Sequence, residues 1–307
     1  MIASLPHRLC LAVFVGMLIS LSCQAQHIEP RRWSNLPIGA DYGGVGYAYT
    51  SGDILLNPAL RIENMEFELH TYAAKYIRSF ELLGCATRVE ISQPYQTGEW
   101  TGLLDGIPAK ATRSGWADTS LRFAMNLFGS PPLSGKEFAE YAASKDTGTI
   151  FGVGLAMQLP TGQYYEDKLI NLGQNRFSFS PQLGLVHSWR KWSAEITTDV
   201  SFYTDNDEFF NGRRLEQEPV FGADLHLVYT FRPGLWLATS FGYGGGGETS
   251  VNGTANNNRL SNLGCGIALG IPINRAIGLK FAYIGNRTQV RNGLNSDAFA
   301  IAASIAW

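Results

Sequence analysis

The amino-acid sequence predicts an all-β chain: a transmembrane antiparallel up-and-down β-barrel of 12 strands with one short helix on the periplasmic side. Three observations carry this. Apolar residues recur at every second position in segment after segment, tight turns alternate with long polar loops, and the chain ends on an apolar strand closed by tryptophan. Bulk composition agrees: of 307 residues, 16% are charged and 34 are glycine, against roughly 25% charged in an average soluble protein. The formal net charge of -2 leaves no basic excess to neutralise a phosphate backbone, so no nucleic-acid partner is expected.

The first element is an export signal over 1–25. Arg8 supplies a positive start, Leu9 to Leu21 a short apolar core, and Cys23-Gln24-Ala25 a small residue for cleavage. The core is too short to span a bilayer comfortably, and Ser20 stands where a lipoprotein signal wants leucine. The mature chain is expected to start at Gln26. Residues 26–40, with Arg31, Arg32, Trp33 and Leu36-Pro-Ile-Gly39, are too proline-bound for a strand. They are expected to fold back as a periplasmic-side plug, Arg31 and Arg32 meeting acidic groups in the lumen.

The barrel should occupy 41–307, with strands at 41–50, 65–78, 83–94, 115–127, 147–159, 176–190, 192–203, 218–231, 234–245, 259–271, 276–288 and 296–307. In the fourth, Leu121, Phe123, Met125 and Leu127 alternate with Asp118, Ser120, Arg122, Ala124 and Asn126. In the second, Phe67, Leu69, Ala73 and Ile77 oppose Glu66, Glu68, His70, Tyr72, Tyr76 and Arg78. Segments of ~10–15 residues suit a tilted crossing better than a soluble strand of ~5–6. Ser188 to Trp192, Phe231 to Gly234 and Ile273 to Ala276 are tight turns, whereas 95–114, 160–175, 204–217 and 246–258 are long and polar. The connection 128–146 breaks the alternation. Ser134 to Ser144 reads there as a capped helix whose Phe138, Tyr141 and Ala142 would pack under the barrel.

At the C-terminus, Phe299, Ile301, Ala303, Ile305 and Trp307 share one face, the kind of closing strand that barrel-insertion machinery reads. Trp189, Trp192 and Tyr283 suit interface girdles. Cys85 and Cys265, the two cysteines of the mature chain, read as small strand residues, with pairing left open.

Alternation also sorts the expected lumen. One wall is charged, with Glu66, Glu68, His70, Arg78, Arg88, Glu90, Asp118, Arg122, Glu195, Asp199, Asp224 and His226 as candidates for a solute path. The other is small: Gly152, Gly154, Ala156, Ala238, Ser240, Gly242, Gly264, Gly266, Ala268 and Gly270. The charges can pair as a stiffening lattice, orient a passing solute, or both. No catalytic set emerges. His187 and Ser188 are neighbours on opposite strand faces, neither G-x-S-x-G nor H-E-x-x-H occurs, and Gly242 to Gly247 lacks a following lysine. No metal, cofactor or enzyme activity is expected.

Several motifs carry a family resemblance: Leu159-Pro-Thr-Gly-Gln-Tyr164, Lys168-Leu-Ile-Asn-Leu-Gly-Gln-Asn-Arg176, Phe202-Tyr-Thr-Asp-Asn206, Gln217-Glu-Pro219, Phe231-Arg-Pro-Gly-Leu-Trp236 and Arg113-Ser-Gly-Trp-Ala-Asp118. With them the chain resembles the family called Putative MetA-pathway of phenol degradation, from about Arg32 to Trp307. It departs in having Asn57-Pro58 where the family often has Asp-Pro. The resemblance implies an outer-membrane barrel of transporter type. Tyr164, Asn171, Asn175, Arg176, Asp205 and Asn206 would form its loop rim, either touching a phenolic solute or fixing the loops. The expected function is therefore an outer-membrane channel for small solutes, aromatic or hydrophobic compounds among them, with outer-membrane lipid and lipopolysaccharide around it. The alternative is a non-conducting structural or adhesive barrel.

Overall fold

The computed structural model describes residues 28–55 and 62–307. The expected signal peptide, and Asn57 with Pro58, lie outside them. In chain order the elements are β1 (Asp41–Leu55), β2 (Ile62–Leu82), β3 (Cys85–Leu104), β4 (Ile107–Trp116), β5 (Thr119–Phe128), helix α1 (Gly135–Ser144), β6 (Thr147–Leu159), β7 (Ser178–Trp189), β8 (Trp192–Tyr203), β9 (Asn206–Phe209) and β10 (Arg213–Gln217). Then come β11 (Val220–Arg232), β12 (Leu235–Gly246), β13 (Thr249–Val251), β14 (Thr254–Ala255), β15 (Leu260–Pro272), β16 (Ile277–Thr288) and β17 (Gly293–Ala306).

Twelve of these strands form a closed antiparallel barrel. Each pairs with its neighbour along the chain, and β1 pairs with both β2 and β17, from Tyr42↔Ala306 to Leu55↔Gly293. Closure leaves no row of backbone N–H and C=O groups facing lipid, which a bilayer does not tolerate. β6 and β8 span the expected 147–159 and 192–203, while β1 and β3, expected to end at 50 and 94, run on to Leu55 and Leu104.

Side-chain burial inverts the rule for soluble proteins. Along β7, Ser178, Ser180, Gln182 and Val186 are buried while Phe179, Leu183 and Leu185 at the alternate positions are exposed. Polar groups inside and apolar groups outside describe a wall between water and lipid. Aromatics gather at both ends of the outer face. Trp192, Tyr229 and Phe231 form a T-shaped cluster at the short-turn end, and Tyr95–Trp116 and Tyr283–Phe299 lie toward the long loops. The short turns are sharp. Leu83 and Gly84 both take positive φ (53° and 75°), the mirror-image turn whose twist matches a hairpin.

Three connections differ from expectation. The stretch 95–114 is a β-hairpin rather than an open loop, made by the upper half of β3 with β4 and turned at Asp105-Gly106. β2 and β3, at 21 and 20 residues, thus run well beyond the ~9–11 residues a crossing needs. The loops at 204–217 and 246–258 contribute a second sheet, ordered β14-β13-β10-β9, over a small core of Phe209, Leu215 and Val251. Helix α1 forms, but Ser134 makes no side-chain cap bond and none of its residues is buried. Its hold on the barrel is the Tyr141 hydroxyl, which donates to the Gly129 carbonyl at 3.0 Å, and Ala142 is exposed.

Candidate functional site

Residues 28–40 lie inside the barrel. Trp33 is fully buried, and its indole N–H donates to Thr197 Oγ1 at 2.9 Å. The ring rests on a wall that glycine alone leaves room for: a Cβ at Gly184 would stand 2.0 Å from the ring, and one at Gly152 2.6 Å. The Arg122 guanidinium covers the ring at 4.7 Å from its centre, a cation–π contact. The Arg31 backbone N–H donates to Glu195 at 2.7 Å, and its guanidinium stands 5.6 Å from the Trp236 ring. The segment leaves the bore through Ile38 N–H to the Leu133 carbonyl and Gly39 N–H to the Ser79 carbonyl, both 2.9 Å.

An ion-pair cluster surrounds this segment. Glu90 accepts from Arg122 at 2.6 Å, Lys75 at 2.8 Å and Arg88 at 3.2 Å. Glu29 bridges Lys75 and Lys280 at 3.5 and 3.4 Å, and these two ammonium groups hold its carboxyl well below the usual range. On the opposite wall His226 shares a 2.8 Å hydrogen bond with Ser240, and Glu195 and Asp224 are buried beside it in the register of β8 and β11.

The structure brings Arg88, Glu90, Arg122, Glu195, Asp199, Asp224 and His226 to the inner face. It places Glu66, Glu68, His70 and Arg78 on the outer face, which corrects the expected lumen. The deciding residue is Lys75, whose contacts with Glu29 and Glu90 point it into the bore, so the odd-numbered positions of β2 face inward. His70 instead bonds Tyr47 at 2.8 Å beside Tyr49, and Arg78 pairs with Asp41 next to the terminal Trp307 carbonyl and amide. Lys75, Lys280, Glu29 and Gln182 were not among the expected residues. For Lys75 the signal was present: Thr71 and Lys75 both fall in the row read as oily.

The rim residues bind one another. Asn171 closes its own loop through Tyr165 and Lys168, at 2.9–3.1 Å. Asn206 is 1% exposed and joins Tyr164 at 2.9 Å to the Gln174 carbonyl at 3.2 Å, and Asn175 donates to Asn206 and Glu208 at 3.1 Å. Arg176 lies 4.7 Å over the Tyr203 ring and donates to Gln217, and burial pushes its pKa down to about 10. Asp205 pairs with Arg214. Asp118, expected on the solute path, serves as an anchor instead, accepting the N–H groups of Gly162 and Gln174 at 2.8 Å each, and burial raises its pKa. Between this rim and the N-terminal segment is a polar cavity of about 300 Å³ with Ser92, Ser120, Gln158, Ser178 and Ser180 in its wall.

The family model Putative MetA-pathway of phenol degradation matches residues 63–302. The chain belongs to that family. Among solved structures, this member of the phenol degradation family is similar to the COG4313 outer membrane channel from Pseudomonas putida F1, with 22% identity, a TM-score of 0.77, and 92% of this chain and 100% of the other covered. It is also similar to the transport unit of the autotransporter AIDA-I from Escherichia coli, with 7% identity, a TM-score of 0.52, and 94% and 95% covered. No match to a curated protein was found. The fold is that of an outer-membrane β-barrel.

Proposed function

We propose that the protein is an outer-membrane channel for small solutes, aromatic or hydrophobic compounds among them, in keeping with the phenol degradation family to which it belongs. One observation carries this reading. The bore is lined by polar and charged side chains and occupied by a segment that pairs with no barrel strand along its length and is held chiefly by individual hydrogen bonds and ion pairs, beside a polar cavity of about 300 Å³. A purely structural barrel can use paired charges as a stiffening lattice, but it needs no cavity of this size beside them.

In this reading the chain is exported by a signal peptide cleaved after Ala25, sits among outer-membrane lipid and lipopolysaccharide, and is inserted by machinery that reads the strand ending in Trp307. Residues 28–40 act as its plug, and the solute path runs past Arg88, Glu90, Arg122, Glu195, Asp199, Asp224 and His226 rather than past any catalytic group. The non-conducting reading draws on the full burial of Trp33 and the interlinked rim. Liposome swelling separates the two: phenolic acids and sugars of equal size are compared in vesicles carrying the purified barrel. Faster entry of the phenolic acids is expected, and no swelling with any solute defeats the channel.

A further inference from the structure

Resting on the channel reading, we propose that the cavity above the plug is a binding site for a small organic carboxylate, with Arg32 and Arg122 as its anion-binding groups. Arg32, Lys75 and Arg122 line this cavity together with Glu29 and Glu90. The acidic oxygens are already taken: Glu90 Oε1 by Arg88 and Arg122, Glu90 Oε2 by Lys75, and the two oxygens of Glu29 by Lys75 and Lys280. The donors are not exhausted. Arg122 is 5% exposed and spends Nη1 on Glu90 and Nε on the Gln182 side-chain Oε1 at 2.9 Å, which leaves Nη2 buried with no acceptor among the described residues. Arg32 Nε is buried and lacks one as well.

Within this lining the surplus is therefore of N–H donors on cations, the orphaned Asp224 Oδ1 lying outside it on β11. An acceptor-rich anion satisfies them with charge-assisted bonds, stronger than those made by a neutral molecule or water. Two separate donors match the two oxygens of a carboxylate. Trp33 stacked on Arg122, with Glu90 and Gln182 on its other edges, holds the guanidinium plane in advance of binding. The volume of about 300 Å³ lies at the lower end of small-molecule sites, ~300–1,000 Å³, which suits a single-ring acid.

The test is calorimetric titration of the purified full-length barrel in low-chloride buffer with benzoate and with benzamide, its neutral counterpart of the same shape. Benzoate is expected to bind at least tenfold more tightly. Arg32→Gln, on the N-terminal segment rather than on a barrel strand, is expected to abolish that preference while leaving the heat-modified electrophoretic mobility of the barrel unchanged. Equal affinity for benzoate and benzamide in the wild-type protein overturns the proposal without reference to any variant, and an undiminished preference in Arg32→Gln does so too. Swelling assays on the same preparation keep the two readings apart. Benzamide entry without benzoate preference removes the carboxylate site and leaves the channel, whereas benzoate binding without entry of any solute leaves the site and removes the channel.

Discussion

Gly184→Ala tests how the plug is seated without touching the plug itself. The added methyl would stand 2.0 Å from the Trp33 ring, and the ring has nowhere to move: the Gly152 position closes in at 2.6 Å, Gly154 at 3.2 Å, and Arg122 covers the other face. Trp33 must leave its slot. Removing a buried tryptophan or phenylalanine side chain costs about 3–5 kcal/mol, and the Thr197 hydrogen bond and the Arg122 contact together amount to about 1.5–3 kcal/mol. Because the displaced ring stays partly covered in the bore, the lower figure of about 3 kcal/mol is the better guide. At about 1.4 kcal/mol per tenfold, the ratio of docked to undocked plug falls on the order of a hundredfold. Single-channel recordings in planar bilayers should show openings about a hundred times more frequent, and iodide should quench Trp33 emission that it does not reach in the wild type. Gly148→Ala is the control, since a Cβ there meets nothing within 4 Å. The reasoning is refuted if Gly184→Ala and Gly148→Ala open at the same rate. In a Trp33→Ala background the Gly184 effect should vanish, because the two residues act through one contact.

Deleting 26–38 should raise unit conductance, and an unchanged value in planar bilayers counts against the plug. Plug docking should weaken in acid. The Glu29 carboxyl is held well below its ordinary value of 4.5 by Lys75 and Lys280, so its contribution is complete above that value and is lost as pH falls through the depressed one. Conductance should rise as pH falls below 4.5 through the depressed value, and Glu29→Gln should abolish that part of the rise. Asp118→Asn sets an amide NH2 against one of the two N–H groups the carboxylate now accepts, at about 1–3 kcal/mol. Backbone amides of Gly162 and Gln174 should then exchange faster with deuterium while β6 stays protected, and unchanged exchange argues against the anchor.

The sequence alone established twelve barrel crossings and the outer faces of β5, β6, β8 and β11, because side chains alternate sides at every residue and the apolar row faces lipid; the end of β3 escaped it, since that strand runs past the expected 94 to Leu104 by pairing with β4. It also indicated that one wall is too small-sided to be filled by its own side chains. For the loop rim it left two roles open, and the hydrogen bonds among Asn171, Asn175, Asn206 and Arg176 favour fixing the loops. What it could not supply was the direction in which β2 faces. Charge marks the lumen only within the bilayer core, but β2 is 21 residues long, so Glu66 and Glu68 can point outward beyond that core, and Tyr72 and Tyr76 sit at ease in the outer wall. Tertiary structure decides such cases through partners: Glu29, distant in sequence, meets Lys75 and Lys280 and thereby fixes the frame of two strands. The slot for Trp33 is of the same kind. Glycines on neighbouring strands β6 and β7 make a surface only once pairing sets Gly152 opposite Gly184, and no spacing along the chain records that they will meet one indole ring.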